Sequence, residues 1–318
     1  MSNFWKKINK PITALAPMDD VTDFVFREII ATIVKPDVLF TEFASADGLF
    51  SNGSEKVERK LLFSEIQKPI VAQIWGSNPE NFKKAAKLIA ELGFDGIDIN
   101  MGCPDRSIMS KNSGAALINN KDLVGKLIQE TRKGSSKLSL SVKTRLDMNP
   151  DLTKEWISFL LSQNIDTLII HGRTAKAMSK GQADWEEIGK ALEIKNKINP
   201  EIILIGNGDI KNYKEVEEKH KNYGVDGVMI GRGIFNNPWV FEKSESVNER
   251  TKDEYIKLLV THTKLFNDKW GKDKNFHEMK KFFKIYVKGF KGANILRQKL
   301  MQIKNYEEFC SVISSFRE

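Results

Sequence analysis

Eight short runs rich in apolar and β-branched residues alternate with helix-like segments between residues 12 and 231. The runs lie at residues 12–16, 38–42, 70–73, 96–100, 138–143, 167–171, 202–206 and 227–231. Such alternation is typical of parallel sheets, and eight strand-helix units in about 225 residues are the usual size of a (β/α)8 TIM barrel. An open, doubly wound sheet is the alternative, but no GxGxxG turn follows the first run. The sequence therefore predicts an α/β fold built on a barrel.

The most clearly marked helix follows the third run. Asn78 can cap its first turn, Pro79 suits the first helical position, and Gly93 marks its end. Apolar residues recur along it at helical spacing and predict one buried face, made by Phe82, Ala86, Ile89 and Leu92. We therefore expect this helix to pack on the sheet.

The pattern changes after Phe241. Residues 243–250 are polar and are predicted to form a linker, and from residue 252 onwards the chain has helical spacing without strand-like runs. We therefore predict a barrel domain over residues 1–242 and a small C-terminal all-helical domain over residues 252–318. The predicted core of the second domain comprises Tyr255, Leu258, Leu259, Phe266, Phe282, Phe283, Ile285, Val287, Leu296, Leu300 and Phe309.

Composition excludes several classes of protein. The chain has 41% hydrophobic and 29% charged residues and no apolar run near the length that a membrane helix needs. The N-terminal segment lacks the apolar stretch of a secretory signal, so we expect a cytoplasmic protein. Two cysteines, Cys103 and Cys310, cannot build a disulfide scaffold, and the four histidines show no metal-ligand spacing. We expect no metal.

Candidate site residues, most of them polar, end most of the predicted strands. They are Pro17 and Met18 after the first run, Gln73 in the third, Asn100 and Cys103 at the fourth, Lys143 and Arg145 at the fifth, and His171 in the sixth. Barrel enzymes place their active sites at the C-terminal ends of the strands. We therefore expect these side chains to surround one site. A buried core histidine and a surface lysine are the alternative roles for His171 and Lys143.

Cys103 lies in the turn Gly102-Cys103-Pro104, directly after the fourth run. Glycine and proline favour a tight turn, which would hold the thiol at the end of the strand. A small buried hydrophobic residue is the alternative role for a single cysteine. The position favours a catalytic thiol.

Two glycine-rich turns follow the seventh and eighth runs, Gly206-Asn207-Gly208-Asp209 and Gly231-Arg232-Gly233. Either turn alone could be a simple change of direction. Backbone N–H groups after strands seven and eight of a barrel often bind phosphate, and glycine permits the close approach. The pair predicts a phosphate-bearing ligand, whose planar ring could accept hydrogen bonds from lysine, glutamine and histidine side chains.

The C-terminal region is strongly basic. Between residues 272 and 304, ten basic residues against two acidic ones give a charge of +8, equal to that of the whole chain. Lys280, Lys281, Lys284, Lys288 and Lys291 recur every three or four residues and can share one helix face. A stripe of charge is often only a solvated face, but its concentration beside a candidate site favours nucleic-acid phosphate as a partner.

These features together resemble the tRNA-dihydrouridine synthase family, flavin enzymes that reduce the 5,6 double bond of selected uridines in tRNA. The resemblance covers nearly the whole chain and rests on motifs that include Ala16-Pro17-Met18, Thr41-Glu42-Phe43, Asn100-Met101-Gly102-Cys103-Pro104, Gly114-Ala115-Ala116-Leu117, Val142-Lys143-Thr144-Arg145, His171-Gly172-Arg173-Thr174, Gly206-Asn207-Gly208-Asp209 and Ile230-Gly231-Arg232-Gly233. In the tail, Gly289-Phe290-Lys291-Gly292-Ala293 and Leu296-Arg297 are similar to the family's RNA-binding domain.

The resemblance implies a role for each matching residue. It implies that FMN is held by Pro17, Met18, Gln73, Lys143, His171, Asn207, Gly208, Asp209, Gly231 and Arg232. It implies that Cys103 donates a proton and that NADPH supplies electrons. The tRNA would be contacted by Asn100 beside the target base, by Arg145 and Arg173 along the pocket or RNA path, and by Lys280, Lys284, Lys288, Lys291 and Arg297 in the tail. We expect a monomer.

The chain departs from the family's pattern in two loops. Ser110-Lys111-Asn112-Ser113 shifts a basic residue and lacks the glycine that often follows it, and Ser179 stands where a tyrosine is frequent. Three other functions remain open on the residues alone. They are a flavin barrel that acts on a free pyrimidine or other small metabolite, a non-catalytic RNA-binding barrel, and a phosphate-binding isomerase without flavin.

Overall fold

The computed structural model describes residues 3–243 and 250–317, so most of the predicted linker lies outside the described residues. Within them, nine strands form one parallel sheet. The strands are β1 (Ile12–Leu15), β2 (Leu39–Phe40), β3 (Ala44–Ser45), β4 (Ile70–Trp75), β5 (Gly96–Met101), β6 (Ser139–Leu146), β7 (Thr167–Thr174), β8 (Ile203–Asn207) and β9 (Gly227–Ile230). Each of the eight predicted runs overlaps one of these strands.

The sheet closes into a barrel. The strand order is β1-β9-β8-β7-β6-β5-β4-β2, and β3 also pairs with β4. Ala14 of β1 pairs with Val38 next to β2, where the Leu15 N–H donates to the Val38 carbonyl at 3.1 Å. The predicted (β/α)8 barrel is confirmed, and the open doubly wound sheet is excluded.

The second strand is much shorter than predicted. The Thr41 N–H still donates to the Val71 carbonyl at 3.0 Å, but the Gln73 N–H then donates to the Thr41 hydroxyl at 3.1 Å instead of to a backbone carbonyl. The side chain thus interrupts the ladder, and pairing resumes at β3, which the sequence did not predict.

Helices connect the strands and form the C-terminal region. They are α1 (Phe24–Ile33), α2 (Glu55–Glu58), α3 (Pro79–Glu91), α4 (Arg106–Met109), α5 (Lys121–Gly134), α6 (Pro150–Leu161), α7 (Trp185–Ile198), α8 (Tyr213–Tyr223), α9 (Gly233–Asn236), α10 (Lys252–Trp270), α11 (Lys280–Tyr286), α12 (Ala293–Gln302) and α13 (Tyr306–Arg317). Short 3-10 helices lie at Phe4–Lys7, Gly48–Phe50, Arg59–Leu61, Glu65–Gln67, Gly114–Asn119 and Phe276–Met279. No helix of the described chain has the length and apolarity needed to cross a membrane.

The helix predicted after the third run is α3. Asn78 accepts a hydrogen bond from the Glu80 N–H, and three of the four predicted apolar residues are buried. Leu92 is instead 45% exposed, so its predicted burial is wrong. The helix has ended by Leu92, the chain turns at Gly93 with φ +84°, and Phe94 is buried in its place.

The barrel interior combines an apolar cluster with buried polar side chains. Its apolar cluster comprises Trp5, Ile12, Ala14, Ala16, Val38, Phe40, Val71, Ile169, Ile203, Ile205 and Met229. Strands β4 to β7 contribute buried polar residues, which include Gln73, Asp98, Asn100, Ser139, Ser141 and Thr167. Buried polar groups need hydrogen-bond partners. Ser141, Asp98, Gln73 and Asn100 are hydrogen-bonded in series, whereas the Ser139 and Thr167 hydroxyls have no partner within the described residues.

The C-terminal helices pack against α1 and α9. Phe26 of α1 stacks on Phe282 of α11 with ring centroids 5.4 Å apart, and Lys274 forms an ion pair with Asp23 at 3.1 Å. The predicted core residues of the tail are buried, except Tyr255, which is half-buried. Their cluster is continuous with the layer between barrel and helices. The tail therefore lies beside the ends of β1 and β9.

The predicted lysine stripe does not share one helix face. Helix α11 ends at Tyr286, and the left-handed glycines Gly289 and Gly292 follow it. Lys288 and Lys291 therefore lie in a loop, so this part of the prediction is wrong. The spacing of the lysines stays periodic beyond the end of α11, and in the sequence only the two glycines indicate that end.

Candidate active site

A cavity of about 920 Å³ opens at the C-terminal ends of the barrel strands. Most of the predicted site residues line it, namely Pro17, Met18, Lys143, Arg145, His171, Arg173, Asn207, Gly208, Asp209, Gly231 and Arg232. Gln73 and Asn100 are buried and are not part of its wall, and Cys103 lies next to the lining residue Pro104. Barrel closure thus brings residues from six strands to one place.

The two glycine turns form one concave surface. Gly208 has φ +141°, and a Cβ there would lie 2.4 Å from the Cβ of Ala183. A Cβ at Gly233 would lie 2.0 Å from the Ile210 carbonyl, so glycine lets the second turn approach the first. Across the described residues, the N–H groups of Gly208, Gly231 and Arg232 have no protein acceptor. Convergent free N–H groups of this kind suit a phosphate.

Asp209 is tied to the protein by its side chain. Its carboxylate accepts hydrogen bonds from Arg173 at 2.6 and 2.7 Å and from the Ala183 N–H at 2.7 Å. Partial burial raises the pKa of Asp209, but these hydrogen bonds and the charges of Arg173 and Arg232 outweigh it, so the net pKa lies below its usual value. The carboxylate therefore anchors Arg173 and the loop at Ala183.

Three arginines hold the loop between β7 and α7, residues 175–184, over the cavity. Arg145 donates to the Met178 carbonyl at 2.8 Å, Arg173 donates to the Gly181 carbonyl at 2.6 Å, and Arg232 donates to the Ser179 carbonyl at 3.3 Å. The sequence suggested ligand contacts for these arginines but not this loop, which adds Met178, Ser179, Gly181, Gln182 and Ala183 to the cavity wall.

Lys143 presents a cation without a protein partner. Its side chain lines the cavity, and only burial and through-space charges act on its ammonium in the described chain. Burial and the charge of Arg145 lower the pKa of Lys143 to about 8, against the opposing charge of Asp98. A desolvated cation without a direct ion-pair partner destabilises the empty site and favours an electron-rich ligand.

His171 is a neutral acceptor in this surrounding. Its Nε2 lies 3.3 Å from Nη1 of Arg173, and because a guanidinium only donates, Nε2 is the unprotonated nitrogen. Burial, followed by the charges of Lys143 and the nearby arginines, lowers the pKa of His171 to about 2. The imidazole therefore stays uncharged at neutral pH.

Cys103 is half-buried in the turn that follows β5. Gly114, with φ +60°, packs so closely that a Cβ there would lie 2.7 Å from the Cys103 carbonyl. Burial is the largest cause that raises the pKa of the Cys103 thiol, and the charge of Asp105 adds to it. The Asp105 backbone and the Arg145 charge oppose this increase without reversing it. The thiol is therefore protonated at neutral pH.

Asp98 is a site residue that sequence reasoning missed. It lies fully buried in β5, two residues before Asn100, and accepts a hydrogen bond from Gln73 at 2.7 Å. Burial raises its pKa to about 6, although hydrogen bonds from Ser141 and Gln73 oppose the shift. The available signal was an acidic residue inside an otherwise apolar strand, at the inward-facing position shared with Asn100.

The predicted tRNA-contacting residues of the tail occupy different settings. Lys284 and Lys291 are exposed, and Lys284 and Arg297 line a groove of about 490 Å³. Lys288 donates to the carbonyls of Phe235 and Asn236 at 2.9 and 2.6 Å. Lys280 donates to the Met301 carbonyl at 2.7 Å. Only some of these cations are therefore free to meet phosphate.

One set of three neighbouring carboxylates lies in the described chain, formed by Asp19, Asp20 and Glu42. Lys60 pairs with Asp19, and Glu42 accepts the Asp20 N–H at 2.8 Å. These protein contacts already engage two of the three carboxylates, and the absence of a metal stays a prediction.

Comparison with known proteins gives consistent matches. The dihydrouridine synthase family model matches residues 14–317. A Staphylococcus aureus (strain COL) protein described as a probable tRNA-dihydrouridine synthase is 43% identical over 318 residues, which cover 99% of this chain and 95% of the relative. A Bacillus subtilis (strain 168) protein described as probable tRNA-dihydrouridine synthase 2 is 41% identical, with 99% and 96% covered.

Among solved structures, a 2-naphthoyl-CoA reductase bound to 2-naphthoyl-CoA is similar with a TM-score of 0.54 at 10% identity. The match covers 75% of this chain and 52% of that chain. At this identity the likeness concerns the barrel fold alone.

Proposed function

The chain belongs to the dihydrouridine synthase family, and we propose that it reduces selected uridines of tRNA to 5,6-dihydrouridine with FMN as cofactor and NADPH as electron donor. The observation that carries the proposal is the protonated Cys103 thiol beside a cavity with free N–H groups and an unpartnered lysine. Such a cavity would offer a phosphate site and a cation for an electron-rich ring, with an acid next to its wall.

The residues present suit FMN. The N–H groups of Gly208, Gly231 and Arg232 would hold the phosphate, and Pro17 and Met18 would line the ring's side of the cavity. Lys143 and His171 would hydrogen-bond the ring's polar edge, while Asn207 keeps the cradle in place by donating to the Met229 carbonyl at 2.8 Å. When bound, FMN supplies the hydride that carbon 6 of uracil accepts.

Cys103 would then complete the reduction. After hydride addition at carbon 6, the uracil enolate needs a proton at carbon 5, and the thiol S–H bond breaks as the new C–H bond forms. The thiolate that remains is stabilised by the charges of Lys143 and Arg145 and regains its proton from solvent. A raised thiol pKa suits this role because it keeps the acid protonated at neutral pH.

The tail would bind the tRNA. Its exposed Lys284 and Lys291 and the groove at Arg297 can contact phosphates, and such contacts offset the cost of extruding the target base, about a few kcal/mol. Lys280 and Lys288 would support this surface through their bonds to carbonyls. Arg145 and Arg173 would shape the pocket. Asn100 would shape the region where the target base enters.

We further propose the domain division at 1–242 and 252–318, a monomeric state, a cytoplasmic location and no metal requirement. The capping box at Thr251 and Glu254, which starts α10, supports the second boundary. The chain charge of +8 supports association with RNA rather than with a basic partner.

The decisive experiment incubates the purified protein with NADPH and unmodified tRNA transcripts, and measures dihydrouridine by mass spectrometry of the digested RNA. Yellow protein that releases FMN and adds two hydrogens to particular uridines is the expected result. Turnover of free uridine without RNA would favour a metabolite reductase. Colourless protein that still binds tRNA would favour a non-catalytic binding role.

A further inference from the structure

A chain of buried polar side chains runs beneath the Cys103 turn. Ser141 donates to one carboxylate oxygen of Asp98 at 2.5 Å, and Gln73 donates to the other at 2.7 Å. Asn100 in turn donates to the Gln73 amide oxygen at 3.0 Å. All four side chains are at most 6% exposed, so water does not compete for these bonds.

This series of hydrogen bonds ends on the backbone of the turn that carries Cys103. The Asn100 amide oxygen accepts the N–H groups of Gly102 at 3.1 Å and Cys103 at 2.9 Å. A single side-chain oxygen therefore holds both peptide units that lead into the thiol.

The Asp98 carboxylate at one end and the backbone N–H groups of the turn at the other fix the orientation of the Gln73 and Asn100 amides. Backbone N–H groups only donate and an ionised carboxylate only accepts. Gln73 must therefore present its NH2 to Asp98 and its oxygen to Asn100, and Asn100 must present its oxygen to the turn. A reversed Asn100 would place its NH2 against two N–H donors, which would release the turn.

We propose that Asp98 and Gln73 are positioning residues that orient Asn100 and thereby hold the Cys103 thiol in place for proton donation. This inference rests on the proposed role of Cys103 and deepens it. It assigns a role to Asp98, and it accounts for Gln73, both of whose polar atoms are engaged by protein. Lys143, the charged group that acts on Asp98, favours the ionised acceptor.

The test measures how fast iodoacetamide alkylates Cys103 in the flavin-loaded protein, by mass spectrometry, in a Cys310→Ser background that removes the exposed thiol. Gln73→Glu places two carboxylates face to face and removes the donor to Asp98. We expect the repulsion between the two carboxylates to move the side chain at position 73 away from Asn100. Asn100 then loses the acceptor for its NH2 and its orientation, and the half-buried thiol reacts about 10-fold faster as two hydrogen bonds to the turn are lost.

The matched controls exchange the same kinds of atoms but keep the order of hydrogen-bond donors and acceptors. Asp98→Asn should change the rate less than about twofold, because the Ser141 hydroxyl can accept from the new amide. Combining Gln73→Glu with Asp98→Asn restores the order of donors and acceptors, since the amide at 98 then donates to the carboxylate at 73. We expect this double variant to return to within about twofold of the parent rate.

Rescue would show that the order of donors and acceptors, and not side-chain size, holds the turn in place. If the two substitutions add without rescue, or if Gln73→Glu leaves alkylation unchanged, the proposal is overturned. Asn100→Ala removes the acceptor itself and must accelerate alkylation by at least as much. This second variant decides the question if Gln73→Glu does not fold, and an unchanged rate in it refutes the proposal.

Parallel assays of tRNA reduction separate this inference from the proposed function. In Gln73→Glu, kcat should fall while KM for tRNA stays the same, and the double variant should recover part of kcat. Alkylation needs neither tRNA nor NADPH. Rescue of alkylation in a protein whose parent form reduces no tRNA would refute the proposed function and leave the positioning of the turn supported.

Discussion

Replacing Lys143 with methionine should stabilise the flavin-free protein and weaken its hold on FMN. The ammonium lines the cavity and forms no hydrogen bond or ion pair in the described chain. The charge of Asp98 offsets its burial only in part, so the empty site bears a desolvated charge. Methionine removes this charge and keeps much of the side-chain volume. It also removes the cation that we place at the edge of the flavin ring, so the two effects have opposite signs.

The magnitude follows from the pKa of Lys143, which falls from 10.5 to about 8 on folding. Because the folded pKa is lower, the charged lysine destabilises the fold below about pH 8. The penalty disappears as the pH rises from about 8 to 10.5, where the unfolded chain holds the extra proton. The difference corresponds to up to about 3 kcal/mol of unfolding free energy at pH 7.

The assay is urea unfolding of the flavin-free protein at pH 7 and pH 10, with the exposed Lys126→Met as the matched control. We expect the stability gain of Lys143→Met to be large at pH 7 and small at pH 10, with FMN retention reduced. No gain at pH 7 would refute the burial argument. Unchanged FMN retention would refute the placement of Lys143 at the flavin ring.

Three further changes test the site and the tail. Cys103→Ala should retain FMN and its reduction by NADPH, while dihydrouridine formation falls about 100-fold to 10,000-fold, the range of general acid catalysis. Gly208→Ala should lower FMN content in the purified protein, because φ is +141° and the new Cβ would lie 2.4 Å from that of Ala183. Lys284→Gln combined with Lys291→Gln should weaken tRNA binding, with the slope of log affinity against log salt shallower by up to about 0.9 per lost phosphate contact.

Matched controls keep these outcomes interpretable. Gly53→Ala also places a side chain at positive φ, +89°, but nothing lies within 4 Å of the new Cβ, so FMN content should not change. Lys83→Gln with Lys84→Gln removes two exposed charges from α3 and should leave the salt slope unchanged. Wild-type turnover by Cys103→Ala, or an unchanged slope in the tail variant, would contradict the corresponding role.

The barrel could be predicted because its strands are buried on both faces. Parallel strands covered by helices are near-continuous apolar runs, and each of the eight runs overlaps a strand. The break between β2 and β3 could not be predicted, since it depends on the Thr41 hydroxyl meeting the Gln73 N–H, 32 residues away. Composition within each run does not encode that contact.

The location of the site could also be predicted, because strand ends in a barrel meet at one face. Lys143, His171 and Asn207 follow from that rule and line the cavity together. The prediction of a lysine stripe on one helix face was wrong at Lys288, because periodicity alone does not show where a helix ends. The Lys288 side chain instead binds two carbonyls of the barrel domain.

By itself, the sequence determined which residues end the strands and therefore which chemical groups could reach the cavity. The tertiary structure decided the partner of each group. Asp98 receives Ser141 from the next strand, Arg173 is taken by Asp209, and Lys143 is left without a partner. The physical reason is that a buried polar atom needs a partner close in space, and in a closed barrel that partner comes from a neighbouring strand tens of residues away, where local pattern carries no information.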